Sequence, residues 1–259
     1  MRVPANYVIG SGLVAEDGRI GSVHDLFFDD RSWEVRYLVV DTGTWLSGRH
    51  VLLAPSAVRD VDWANARVSV GLTKERVRTS PEVDTRKPVS RKVEEDLAVH
   101  YGWTPYWDVS GYGVPIYTGA LFHPGGAGGV VPLPEADAIS PEPPPDEPAP
   151  EEPGAPGLRS AREVTGYQIE AVGGSIGHVE DFIVDDQAWR IAYVVVDTRN
   201  WLPGKKVLIS PQWTRAITWE TKKFRVDLAQ EAIKQSPAFD PDAPLDREYE
   251  KKLHAHYGN

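Results

Sequence analysis

The chain contains no cysteine, which excludes a disulfide framework, thiolate metal sites and thiol catalysis, and suits a reducing compartment such as the cytoplasm. It also lacks any uninterrupted apolar run near the roughly 20 residues that a membrane-spanning helix needs, so no transmembrane segment is expected. The opening MRVPANYVIGSG has one arginine and no apolar block, and a secretory signal is not expected either. Positive charge is in deficit. With 28 Lys and Arg against 38 Asp and Glu, a net charge of −10 repels phosphate backbones and makes nucleic acid a disfavoured partner.

What is present is a repeat. YLVVDTGTWLSGRHVL at residues 37–52 returns as YVVVDTRNWLPGKKVL at residues 193–208. Setting Gly21 against Gly177 gives an offset of 156, and the register runs without a gap from Val8/Val164 to Gly102/Gly258. Along it fall Asp25/Asp181, Asp29-Asp30/Asp185-Asp186, Trp33/Trp189, Tyr37/Tyr193, Trp45/Trp201, Pro55/Pro211, Trp63/Trp219 and His100-Tyr101/His256-Tyr257. In a chain of 259 residues that is 41% apolar, two small cores suit this pattern better than one large one. Between the copies, PEPPPDEPAPEEPGAP at residues 141–156 is half proline and otherwise mostly acidic, a composition that reads as an extended linker. GGAGG at residues 125–129 lacks the Gly-Lys-Ser/Thr ending of a phosphate-binding loop and reads as flexible tether.

Each copy reads as mainly β. Trp33, Val35, Tyr37 and Val39 alternate onto one strand face, as do Trp189, Ile191, Tyr193 and Val195. A preceding strand over residues 20–28 joins it through Asp29-Asp30-Arg31-Ser32, a polar connection suited to a type I turn. Further short strands fit residues 50–54, 59–63 and 67–70, with a first strand at 7–15, which together suggest a small closed or partly closed barrel. Thr73 can cap one helical turn. A second helix is expected from Ser90 to about Tyr101, with Val93, Leu97, His100 and Tyr101 as its docking stripe, repeated by Tyr249, Leu253, His256 and Tyr257.

The segments IGSVHDLFFDDRSWEVRYLVVDTGTWLSGRHVLLAP and IGHVEDFIVDDQAWRIAYVVVDTRNWLPGKKVLISP resemble the PRC-barrel domain. That domain occurs in the cytoplasmic part of the photosynthetic reaction centre H subunit and in a ribosome-maturation factor. The glycine opening, the Asp-Asp hairpin, the Tyr-x-Val-Val-Asp strand and the proline after the next strand carry the resemblance, and its double occurrence at one offset strengthens it. It implies a β-barrel acting by contact with other proteins, without a catalytic set. The chain differs from the H subunit and the ribosomal factor, so neither direct membrane embedding through an N-terminal helix nor a separate N-terminal barrel is expected, and the acidic balance does not suit a ribosomal role.

The expected organisation is a first PRC-type barrel at residues 1–84, a helix and aromatic extension at 85–123, a Gly/Pro/acidic linker at 124–160, a second barrel at 161–240 and a C-terminal helix at 241–259. Gly48 and Gly204 suit the third position of type II turns that place Trp45-Leu46 and Trp201-Leu202 on loop shoulders, where each indole either plugs its barrel or anchors a protein partner. Trp103, Tyr106, Trp107 and Tyr112 lie in an unduplicated aromatic segment that either wraps the first barrel or docks a partner. Arg49-His50 and Lys205-Lys206 either present a basic patch or guard a strand edge. The repeated aspartates fit turn formation better than calcium ligation, and the helix histidines fit packing better than zinc ligation. Ser22-His24-Asp25 is not a triad, since neighbours on a strand alternate faces.

No catalytic, cofactor-binding or metal-binding residue is nominated, and no enzyme is expected. The reading is a cytoplasmic interaction or scaffold module with an unidentified protein partner, with homo-oligomerisation left open. The alternatives are a peripheral accessory of a membrane-bound, photosynthetic-type electron-transfer complex, or, less favoured, a ribosome-assembly factor or a hydrolase.

Overall fold

A computed structural model describes residues 1–85, 89–107, 157–198, 205–241, 243 and 245–258. The first copy runs β1 (Arg2–Pro4), α1 (Ala5–Val8), β2 (Gly12–Ala15), β3 (Gly18–Asp29), β4 (Val35–Asp41), β5 (His50–Leu53), β6 (Val58–Asp62), β7 (Arg67–Val70), α2 (Lys74–Arg78) and α3 (Arg91–Tyr101). The second repeats it as β8 (Leu158–Ser160), α4 (Ala161–Val164), β9 (Gln168–Val172), β10 (Gly174–Asp185), β11 (Arg190–Asp197), β12 (Lys206–Ile209), β13 (Thr214–Thr218), β14 (Lys223–Ala229), α5 (Gln230–Gln235) and α6 (Arg247–Tyr257). Each copy builds a seven-stranded sheet, in the order β5-β4-β3-β2-β7-β6 and β12-β11-β10-β9-β14-β13. The mainly β class holds, with two seven-stranded sheets and a few short helices.

The seventh strand of each sheet comes from the other copy. β3 is long, and its edge opposite β4 is covered by β2 only as far as Ser22. Beyond that, Phe27, Phe28 and Asp29 pair with Ser160, Arg159 and Leu158 of β8. Reciprocally, Ile183, Val184 and Asp185 of β10 pair with Pro4, Val3 and Arg2 of β1. Both donated strands thus fill an edge that would otherwise expose unbonded backbone groups. The exchange extends the repeat register N-terminally to Arg2/Leu158.

Further contacts are equally reciprocal. Val35 N–H donates to Trp189 O at 2.7 Å, and Ile191 N–H to Trp33 O at 2.8 Å. Glu34 bridges to Arg190, its own counterpart at the 156 offset, as expected where an approximate two-fold axis passes. Phe28 packs on Trp33 and on Phe182, and Trp33 also meets Phe224. One apolar core therefore spans both copies, while Ile183, Tyr193, Val195, Leu208, Phe239 and Leu253 form a smaller cluster beneath α6.

Local chemistry explains the hairpins. Asp29 Oδ1 accepts the N–H groups of Arg31 and Ser32 at 2.8 and 3.1 Å, as Asp185 Oδ1 does those of Gln187 and Ala188. The turn ends with Trp33 at φ 62° and Trp189 at φ 48°, so these residues occupy left-handed turn positions and not the strand face expected of them. At Gly21 and Gly177 an added Cβ would lie 2.0 Å from the carbonyl oxygen of Asp41 or Asp197, so only glycine permits this close strand approach.

Two local expectations are corrected. Residues 7–15 do not form one strand: α1 precedes Gly10, and the strand starts at Gly12. The turn at Gly48 has positive φ at Ser47 as well, closed by Arg49 N–H to Leu46 O, which is the I′ pattern whose twist suits a hairpin better than type II. Gly204 lies outside the described residues. The helix expectations hold: Thr73 and Ser90 cap α2 and α3, and Leu97 is fully buried.

Candidate functional site

Trp45 and Leu46 lie on a 3₁₀ turn, Gly43–Leu46, between β4 and β5. Trp45 is half-buried against the common core, with Lys74 Nζ 5.5 Å from its ring centre, so it combines the packing role with a remaining open face. Leu46 opens onto a cleft of about 430 Å³ also lined by Arg49, His50, Glu82, Asp84 and Thr85. Trp201 and Leu202 lie outside the described residues, as does Tyr112. Trp103 stacks on Tyr101 at 4.2 Å and leans on the core. Tyr106 and Trp107 meet edge to face at 4.8 Å. The linker assigned to 124–160 falls outside the described residues up to 156, and its last residues belong to β8.

The basic pairs are engaged. Arg49 donates to the carbonyls of Arg78 and Ser80 at the end of α2, and Lys205 Nζ donates to Lys234 O at 2.6 Å in the same place of the second copy. Their role is to close helix C-termini. His100 Nε2 and His256 Nε2 meet the carbonyls of Arg76 and Ala232 at 2.9 and 2.7 Å, so both histidines tie α3 and α6 to the preceding short helix. Tyr37 donates to Glu94 and Tyr193 to Glu250, each at 3.1 Å, which docks the long helices on the sheets. Glu94 is completely buried and escaped the helix stripe read from the sequence because that stripe counted apolar positions.

Asp25 and Asp181 hold the exchanged segments. Asp25 Oδ1 accepts Leu26 N–H at 2.7 Å and Arg162 N–H at 3.1 Å, while Ser160 donates its hydroxyl to Oδ2. Asp181 does the same toward Phe182 and Asn6. Burial raises both carboxyls, Asp181 to about 6, against the opposing pull of those hydrogen bonds.

One constellation was not legible in the sequence. The β3–β4 ladder pairs Val23 with Val40 and Asp25 with Val39, leaving His24 as a bulge residue. Bulges re-aim side chains. His24 thereby comes beside Asp41, the last residue of β4, and His50, the first of β5, which face each other across the ladder. Imidazole nitrogens and a carboxylate oxygen of the three lie within 4.8 Å of one another, and the two rings stack at 4.5 Å. Arg162 reaches in from α4, 3.2 Å from His24 Nδ1; burial first, and this neighbouring positive charge second, hold the His24 pKa below its ordinary value. In the second copy the bulge residue is Glu180 and the strand-opening residue is Lys206, joined at 2.6 Å beside Asp197. The signal available in the sequence was the His-to-Glu and His-to-Lys replacement at one offset within otherwise matching strands.

The PRC-barrel domain description matches residues 3–71 and 157–232, more than half of the chain. The chain belongs to the PRC-barrel family, as a tandem member with two copies. No curated protein matches it. Among the described residues, no helix is long and apolar enough to cross a membrane.

Proposed function

We propose that the chain is a non-catalytic, cytoplasmic protein-binding scaffold that presents its barrel-end loops from a single two-copy body. The observation that carries this reading is the half-open Trp45-Leu46 shoulder beside the 430 Å³ cleft, whose lining includes His50, Glu82 and Asp84 together with Arg49, the last also bonded to the end of α2. Such a surface suits an extended protein segment with one apolar anchor and charges of both signs. Because the copies exchange strands, binding through both gains effective concentration only from partners whose sites match a fixed spacing.

The test is a co-purification census from the native host with wild-type chain, Trp45→Ala and Trp201→Ala. A partner recovered with wild type and lost with Trp45→Ala, whose melting curve stays close to wild type, supports the reading; an unchanged or empty partner set defeats it. A second reading, a peripheral accessory of a membrane-bound electron-transfer complex, draws on Asp181, since a carboxyl near 6 exchanges protons close to neutrality. It requires the chain to pellet with host membranes at low salt.

A further inference from the structure

We propose that the β3 bulge of the first copy is a binding site for a divalent transition-metal ion of the zinc class, held by His24, Asp41 and His50. Two imidazoles and a carboxylate are a donor set that such ions favour over magnesium or calcium, and three protein ligands leave one position for water. The three residues come from adjacent strands, with Asp41 and His50 directly paired, so the backbone already fixes two of the donors relative to each other. Zinc binds nitrogen and oxygen at about 2.0–2.2 Å, which sets neighbouring donors about 3.4 Å apart. From a spread within 4.8 Å, side-chain rotation must supply an inward movement of about 1 Å.

The surroundings orient the donors. His50 Nδ1 lies 2.8 Å from Thr85 Oγ1, a hydroxyl able to accept its N–H and so leave Nε2 bare for an ion. Gly43 N–H donates to Asp41 Oδ1 at 2.8 Å, which steadies the carboxylate while its second oxygen remains for coordination. All three side chains are only partly buried, and His50 also lines the open cleft beside Leu46. The Arg162 guanidinium lies 3.2 Å from His24 Nδ1 and 3.5 Å from Nε2, close enough to compete with an ion for that imidazole. An arriving ion displaces that contact, and Arg162 keeps its other bond, to His24 O at 3.1 Å.

The second copy is a built-in control. The same bulge there carries Glu180 and Lys206, an ion pair that supplies its own cation beside Asp197. Glutamate and lysine are therefore compatible with this backbone, while the imidazoles of the first copy leave the cation to come from solution.

Isothermal titration of Zn²⁺ into the full chain, free of any polyhistidine tag, at pH 7.5 tests the site. One saturable ion per chain is expected, with affinity falling at least tenfold in Asp41→Asn, saturable binding lost in His24→Glu/His50→Lys, and affinity rising in Arg162→Gln. Absence of saturable binding to wild type overturns the proposal. So does undiminished binding to the double variant, which would assign the ion to the helix histidines. If the double variant melts well below wild type, His24→Gln and Asp41→Asn decide by the same criterion of a tenfold loss.

Discussion

Asp181 shows how one side chain serves both its own strand and a helix of the other copy. It accepts from Phe182 beside it and from Asn6 at the start of α1. Burial lifts its carboxyl to about 6, above the roughly 3.9 of an unfolded chain, so the folded state binds the proton more tightly. Between those two values stability falls as pH rises, and the penalty is complete above the folded value. Asp181→Asn keeps an acceptor for Phe182 and removes the charge. It should gain on wild type, by on the order of 1 kcal/mol after allowance for partial exposure, between pH 4.5 and pH 7.5. Urea midpoints at the two pH values check this, and an equal difference at both would refute it. The neighbouring tryptophans make the complementary point. Trp33 and Trp189 take left-handed backbone angles that bulky residues disfavour, and in doing so place their carbonyls where the other copy's strand begins.

Among elements, the ones set by nearby residues were legible and those set by distant ones were not. Asp29 at a turn and Ser90 before a stripe with Leu97 announce themselves because their hydrogen bonds involve neighbours or a recurring pattern, whereas the close approach at Gly21 is made by Asp41, twenty residues away. β1 spans only three residues, includes Pro4 and pairs with residues 183–185, so neither periodicity nor the repeat register reveals it. The metal-type cluster is hidden for a related reason: a bulge decides which way His24 faces, and the bulge depends on how β3 pairs with β4. The candidate shoulder at Trp45 was visible as a choice between packing and partner contact, and the residue is half-buried against the core. Deleting residues 1–4 should loosen the second copy and spare the first. Amide exchange over residues 183–186 should quicken by about tenfold or more, with residues 27–30 little changed. Equal loosening of both segments would argue against the strand exchange.

At the scale of the molecule, the core runs through both copies, from Phe28 and Trp33 to Phe182 and Phe224. Continuity of the chain between them is then not needed for association. A specific protease site placed within residues 141–156 and cut after purification should leave the two fragments eluting together from gel filtration without denaturant. Fragments that separate would show that the connection, and not the exchange, holds the halves. The exchanged strands also say something about ancestry. A chain with a single copy would own a spare strand and a bare edge, and would satisfy both by pairing with an identical chain about a two-fold axis. Fusion of two such chains makes that symmetric dimer a single polypeptide, and releases its halves from having to remain identical. One bulge carries a pair of histidines where the other carries opposite charges.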